Sequence, residues 1–345
     1  MESEFNKVVY AEYSMDLLNV RLQSSSGGAF YSIAKLILEK DGIVFGVILD
    51  KNRMIARYSD TDHHSINEIM RSKYIAAELG NTFLRVEEEL KNNRLVLFSG
   101  TPCVVAGLKN YIQKKCKDKE ENLLLVDFLC AGVPSPKVFA SYLETLEKKY
   151  KDRVCDVLFR SKAYGWNCYC MKVIFKSGRI YAEPYIKDSY ISGFIELLFN
   201  RPSCYKCKFR EKKCSDITVS DFWNVDKILP EWAKNNFGIS AVFVNTKKGE
   251  YWLMKQKNVM LHKLDEDASK LAYQHLNTSN VIVKRNLFMH TWLEEGYHSA
   301  VKKYCNIYMK KSVKERLGQL KYYLKLKMRY WHMRMLTNGK RQRIS

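Results

Sequence analysis

The residues best suited to chemistry in this sequence are its cysteines. The densest group is Arg201-Pro202-Ser203-Cys204-Tyr205-Lys206-Cys207-Lys208-Phe209, followed by Cys214. A Cys-x-x-Cys turn presents two thiolates in one direction, as a tetrahedral zinc ion or one corner of an iron–sulfur cubane requires. Four ligands are needed, and this segment supplies two or three. Lys206, Lys208, Arg210, Lys212 and Lys213 surround them, and such cations lower thiol pKa values and offset the charge of a thiolate-bound centre. A redox pair of thioredoxin type fits poorly, because this turn does not open a helix directly after a strand. Between iron–sulfur and zinc the spacing does not choose, since their ligand types overlap.

Two further cysteines sit in loops that close strands: Cys103 in Ser99-Gly100-Thr101-Pro102-Cys103, and Cys130 in Leu129-Cys130-Ala131-Gly132-Val133-Pro134-Ser135-Pro136. Cys116, Cys155, Cys168, Cys170 and Cys305 lack such a context and read as packing residues. A second candidate is Ser24-Ser25-Ser26-Gly27-Gly28, where two glycines permit close backbone approach and a following helix offers free N–H groups to a phosphate. A plain serine-capped helix start explains those residues as well. Lys73 could reach a phosphate or simply be solvated.

These residues need elements to hold them. A strand is expected near Val8–Tyr13, a helix from Ala29 to Lys40, a buried strand at Ile43–Leu49 and an amphipathic region from Ile66 to Asn92. Strand 95–98 and strand 123–128 each lead through a Cys-bearing loop into a helix. Two consecutive strand–loop–helix units predict a parallel pair with both loops at one sheet edge, so Cys103 and Cys130 should be neighbours. From Val154 to Glu183 the alternation, with Lys176-Ser177-Gly178-Arg179 between, predicts an antiparallel hairpin. A strand at 239–244 precedes a mainly helical remainder. In the tail, Val313, Leu317, Leu320, Leu324, Trp331 and Met335 recur at helical spacing. The fold class is therefore α/β (α+β): a mixed sheet of strand–loop–helix units, an antiparallel hairpin region and a helical C-terminal extension. The segments divide as 1–92, 93–250 and a basic extension 251–345.

Hydrophobic residues at 46% and aromatics at 13% exclude a disordered chain. The longest apolar runs are strand-sized, and Met1–Phe5 lacks the pattern of a secretory signal, so a cytoplasmic protein with reduced thiols is expected. The net charge of +21 invites a nucleic-acid reading. From Lys302 to Arg343, however, fourteen Lys and Arg face one acid, Glu315, so much of the excess is a tail property. With no zinc-finger spacing and no RNA-binding aromatic signature, nucleic acid is the minority reading.

The segments quoted above, with Phe159-Arg160-Ser161-Lys162, Gly165-Trp166 and Ser215-Asp216-Ile217-Thr218-Val219-Ser220-Asp221-Phe222-Trp223, occur in the order seen in one family. Over about residues 7–250 the chain resembles the coenzyme F420 hydrogenase/dehydrogenase beta-subunit family. The resemblance implies FAD and a [4Fe-4S] cluster, with Cys103, Cys130, Cys204 and Cys207 as ligands and Cys214 in reserve. It places Ser25, Ser26, Gly27, Gly28, Lys73, Gly100, Thr101, Asp221 and Trp223 at the flavin. Phe222 and Trp223 would stack on the ring or serve as core aromatics, and Arg160, Lys162 and Trp166 would face an acidic substrate or lie on a hairpin surface.

Three residues depart from the family pattern: Val104, Ala131 and Asn224 stand where Gln, His and Gly are common. Many relatives also carry an N-terminal ferredoxin-like domain ahead of the point where this sequence begins, so either a separate donor or a longer chain is expected. Electrons would then come from a ferredoxin or a cluster-bearing subunit. The substrate would be a small molecule or carrier-linked compound: F420-like, ferredoxin-linked or an intermediate of polysaccharide synthesis. The reading is an electron-transfer oxidoreductase. The alternative is a zinc-stabilised, catalytically silent scaffold that kept the fold. The basic tail, residues 310–345, is a candidate peripheral membrane contact.

Overall fold

The computed structural model describes residues 8–210, 212–272, 281–308, 321, 323–328 and 331. Twelve strands occur among these residues: β1 (Val8–Ser14), β2 (Ile43–Asp50), β3 (Ile55–Asp60), β4 (Ala77–Glu78), β5 (Val96–Ser99), β6 (Leu123–Phe128), β7 (Val154–Ser161), β8 (Cys170–Phe175), β9 (Ile180–Pro184), β10 (Ile217–Asp221), β11 (Ser240–Val244) and β12 (Val259–Lys263). Nine form one mixed sheet in the order β12-β1-β11-β10-β6-β5-β2-β3-β4, and β7-β8-β9 form a second, antiparallel sheet.

The middle of the large sheet is parallel, with β2, β5, β6 and β10 side by side. Helices cover both of its faces, which is why Ile43-Val44-Phe45, Val96-Leu97-Phe98 and Leu123–Val126 are unbroken apolar runs and fully buried. On one face lie Ala29, Ile33 and Ile37 of helix Ala29–Leu38, with Trp252 and Leu253. On the other, Val86 and Leu90 of helix Thr82–Lys91 pack with Val105, Leu108 and Ile112 of helix Pro102–Lys115. The strands of the large sheet come from all three sequence segments: β5 pairs with β2, β11 with β1, and β12 with β1.

The parallel strand–loop–helix pair is present as expected, β5 beside β6, with helices Pro102–Lys115 and Pro136–Tyr150 following. Each helix starts with proline after an extended cap, Thr101 or Ser135, because proline lacks the N–H that a first turn leaves unused. One expectation changes. The stretch 66–92 is three elements: a short helix Ile66–Ile69, strand β4 and helix Thr82–Lys91. Arg71 at φ 83° and Gly80 at φ 56° turn the chain between them, so one amphipathic face is not sustained. Beyond residue 249 the described chain is mainly helical as expected, with one strand added, β12, which closes on β1 in antiparallel register. As a half-exposed edge strand, β12 carries no clean alternation to reveal it.

Cys116, Cys168, Cys170 and Cys305 are buried among apolar neighbours, and Cys155 is half-buried. No helix among the described residues is long and apolar enough to cross a membrane. Of the tail positions, Val313, Leu317, Leu320 and Met335 lie outside the described residues, whereas Leu324 and Trp331 lie within them.

Candidate functional site

The four loop cysteines meet beyond the C-terminal ends of β5 and β6. Cys103 is exposed in the first turn of helix Pro102–Lys115, its Sγ 3.3 Å from Thr101 Oγ1. Cys130 follows β6, and its Sγ accepts from the Gly132 N–H at 3.3 Å. A contact absent from any sequence pattern brings Cys204 to them. Segment 131–135 runs antiparallel to 199–201: Arg201 N–H donates to Val133 O at 2.9 Å, Ser135 N–H to Phe199 O at 3.0 Å, and Pro134 bridges Asn200. The Asn200 amide completes this seam by donating to Ala131 O at 3.1 Å, while its Oδ1 is buried without a hydrogen-bond partner.

Gly132 is needed in this seam. Its φ is 118°, and a Cβ there would stand 2.5 Å from Asn200 Nδ2 and 3.2 Å from Cys204 Cβ. The short helix Pro202–Lys206 then orients Cys204 and delivers Cys207 at its end. Arg210 ties the turn down by donating to Cys204 O at 2.7 Å.

The thiols feel one another. The Cys130 thiol is pushed up to about 12, by burial first and also by Cys204, Cys103 and Cys207, while the Gly132 N–H opposes the rise. The Cys204 thiol is raised by burial first, with Cys207 and Cys103 adding to it and the Val133 backbone and Arg201 opposing. Cys103 and Cys130 also both act on the buried Tyr58 hydroxyl, raised chiefly by burial. Among the described residues no three His, Cys, Asp or Glu side chains close to the spacing of a single ion site. A cubane sets its thiolates farther apart than one ion does, because a separate iron stands at each thiolate. Thiols are soft donors of the type that a thiolate-bound metal centre takes.

Cys214 lies at the other end of the loop beside Lys213. The Lys213 ammonium stands 4.0 Å from Asp127 Oδ2 at the end of β6. Both atoms are buried without a hydrogen-bond partner, and burial raises the Asp127 carboxyl even against the opposing Lys213 charge.

The residues expected at a flavin are spread over three places: the serine–glycine loop with Lys73, Gly100 and Thr101 beside Cys103, and Asp221 with Trp223 at the end of β10. Gly27 presses on β1 and β11: a Cβ would lie 2.2 Å from Glu12 O, and its N–H donates to Ser240 Oγ at 3.0 Å. Gly28, at φ 107°, caps helix Ala29–Leu38. Ser26 Oγ donates to Ile239 O at 2.8 Å, and Ser25 Oγ accepts from Ser72 N–H at 2.9 Å. Lys73 donates to the carbonyls of Glu68, Ile69 and Met70 at 2.6, 2.9 and 3.1 Å, closing the short helix before it. Burial, and then Arg71, lowers its ammonium to about 7. Gly100 lets the Tyr58 hydroxyl approach, since a Cβ would stand 2.6 Å from it.

Arg160, Lys162 and Trp166 are buried, so they do not form a hairpin surface. Arg160 forms a two-pronged pair with Asp221, which also accepts from Trp166 Nε1 at 2.8 Å. Trp223 stacks on Trp166 at 4.7 Å and 11°, and Arg160 lies over Tyr169 and Trp223. Phe222 is a fully buried core residue. Lys162 holds three carbonyls, of Arg21, Ser26 and Phe237, each at 2.6 Å. Burial lowers its pKa well below the ordinary value, and Arg160, Arg21 and Arg71 lower it further while Asp221 opposes them. Sequence reasoning missed Arg21, a buried cation whose Nε donates to Gly238 O at 2.8 Å.

Arg160 is paired with Asp221 and burial drives Lys162 towards its neutral form, so the feature at the Ser24–Gly28 loop that favours an anion is the N-terminus of helix Ala29–Leu38. The buried Arg160 Nε lacks a hydrogen-bond partner. A shallow hollow lined by Glu147, Lys151, Asp152 and Lys176 lies elsewhere, at the end of helix Pro136–Tyr150 about 20 Å from the Cys130 loop.

Residues 93–267 match the family model that describes the C terminus of the coenzyme F420 hydrogenase/dehydrogenase beta subunit. The chain belongs to that family. The matched stretch contains Cys103, Cys130, Cys204, Cys207 and Cys214, together with Gly100, Thr101, Asp221 and Trp223. The serine–glycine loop and Lys73 precede it. Among solved structures, a chain of the F420-reducing [NiFe] hydrogenase complex from Methanosarcina barkeri is similar at 14% identity and a TM-score of 0.48, over 86% of this chain and 90% of that one. No curated protein matches.

Proposed function

We propose that this beta-subunit-type chain is an iron–sulfur flavoprotein, with Cys103, Cys130, Cys204 and Cys207 holding a [4Fe-4S] cluster and Cys214 in reserve. FAD would lie against Ser25, Ser26, Gly27, Gly28, Lys73, Gly100, Thr101, Asp221 and Trp223. The observation that carries this reading is the 131–135/199–201 seam, which draws the Cys130 loop to the turn that bears Cys204 and Cys207. When bound, such a cluster passes single electrons and a flavin exchanges them for a hydride-like pair.

The residues of the chain have separate tasks in this reading. Gly132 and Asn200 set the separation of Cys130 and Cys204. Arg160 holds Asp221, Lys162 ties the serine–glycine loop to Phe237 through backbone carbonyls, and the Trp166–Trp223 stack excludes water beside Asp221. The electron donor would be a ferredoxin or a cluster-bearing subunit, and the substrate a small molecule or a carrier-linked compound.

Anaerobic purification with iron, sulfide, zinc and flavin quantified on one sample tests this. About four iron and four sulfide per chain, with about one flavin, are expected. Zinc at about one per chain without flavin would sink the redox reading and leave the structural-zinc alternative.

A further inference from the structure

We propose that the Tyr58 hydroxyl donates a hydrogen bond to the thiolates of Cys103 and Cys130 and so sets the reduction potential of the centre they hold. The inference rests on the cluster reading above and adds to it a residue that the cysteine spacing does not reveal.

Tyr58 lies on β3 opposite Val47 of β2, and is 7% exposed. Its ring lies parallel to that of Phe98 on β5, with centroids 5.4 Å apart and planes within 6°. This stack carries the hydroxyl over the end of β5, to the loop that leads into Cys103. Gly100 makes room for it there. A Cβ at Gly100 would stand 2.6 Å from Tyr58 Oη, 3.1 Å from Phe98 Cε1 and 3.5 Å from Tyr58 Cζ. Gly100 is not one of the glycines with positive φ. Its backbone is open to other residues, so the close approach is what calls for glycine.

The hydroxyl proton is left over. Other buried tyrosines donate to oxygen: Tyr142 to Asp188 Oδ2 at 2.7 Å, and Tyr190 to Tyr74 O at 2.7 Å. Among the described residues no oxygen receives the Tyr58 proton. What reaches the Tyr58 oxygen is Thr101, whose N–H and hydroxyl oppose the rise in pKa that burial chiefly causes. Cys103 and Cys130 are the charges that add to that rise. The phenol is therefore neutral, its oxygen is occupied as an acceptor, and its proton is free for sulfur. Thr101 Oγ1, 3.3 Å from Cys103 Sγ, shows that a hydroxyl of this loop already reaches one of the two sulfurs.

Hydrogen bonds to the sulfurs are among the levers that set cluster potentials. A reduced centre carries one more negative charge, so an O–H aimed at its sulfurs favours the reduced state over the oxidised one. The hydroxyl keeps its proton throughout, and only the hydrogen bond strengthens.

The test is anaerobic reconstitution of the full chain with iron and sulfide, then titration with dithionite followed by electron paramagnetic resonance. Tyr58→Phe keeps the ring on Phe98 and removes only the hydroxyl. Its iron and sulfide content should equal wild type while its potential falls. At a fixed poise the reduced-to-oxidised ratio should drop about tenfold, equivalent to about 59 mV for one electron. Tyr111→Phe is the control. It removes a hydroxyl that donates to Glu87, about two turns beyond Cys103 on the same helix, and should leave the potential unchanged. A full cluster in Tyr58→Phe with the wild-type potential would overturn the proposal and leave the cluster reading intact. An equal fall in both variants, or loss of iron from Tyr58→Phe, would also overturn it and make Tyr58 a packing residue. A wild type that takes up no iron and sulfide would overturn both.

Discussion

At the scale of single residues, the chain buries charge where it must hold loops. Asp221 accepts from both Arg160 and Trp166 in a region with little solvent. Asp221→Asn keeps an acceptor for the indole but leaves the guanidinium without its countercharge. Loss of about 3 kcal/mol is expected in urea unfolding, typical of breaking a buried pair. Glu12 makes the opposite case. Burial holds its carboxyl up at about 7 against an ordinary 4.5, and one oxygen has no hydrogen-bond partner. The folded chain therefore keeps a proton that the unfolded chain releases above pH 4.5, and stability from this site is lost as pH rises through 7. Glu12→Gln should match wild type near about pH 4 and exceed it by about 3 kcal/mol near about pH 8. Equal unfolding curves at both pH values would contradict the raised carboxyl.

At the scale of elements, the decisive feature is the seam between 131–135 and 199–201, because it joins the second cysteine loop to the Cys-x-x-Cys turn. Gly132→Ala tests it. The new methyl group meets Asn200 Nδ2 at 2.5 Å in a left-handed backbone, so the seam must open and separate Cys130 from Cys204. Iron content should fall severalfold with the helical circular dichroism retained, because both strands β5 and β6 lie outside the seam. Unchanged iron content would show that the two loops need not be held together. The three positions that depart from the family pattern are absorbed into packing. Val104 lies against the core under the helix, Ala131 packs beside the Tyr190 cluster, and Asn224 donates to Leu271 O at 3.0 Å.

At the scale of the whole molecule, the cysteine group unites parts of the chain remote in sequence. Cys103 and Cys130 come from the parallel middle of the sheet, and Cys204 and Cys207 come from the connection between the small sheet and β10. A centre bound by all four would bind the folded state in preference to the unfolded one. Anaerobic reconstitution with iron and sulfide is therefore expected to raise the melting temperature by several degrees, as a gain of about 1–2 kcal/mol does in a chain of this size. Cys204→Ala should cancel the increase while leaving the melting temperature of the untreated protein little changed. An unreconstituted variant that melts far below wild type would instead make Cys204 a packing residue.

The sequence by itself determined the central parallel pair and the edge on which Cys103 and Cys130 lie. Long apolar runs followed by Gly-Thr-Pro or Pro-Ser-Pro mark a buried strand and a helix start through short-range sterics alone. The ordered motifs likewise pointed to the family, and the matched family model agrees over residues 93–267. Only the tertiary structure decided where the serine–glycine loop spends its polar groups, that Arg160 and Lys162 are interior, and that β12 joins the sheet at its edge. The same holds for the seam that carries Cys204 to Cys130. Its partners lie more than sixty residues apart and pair through backbone groups that every residue possesses, so no side-chain pattern could announce the contact.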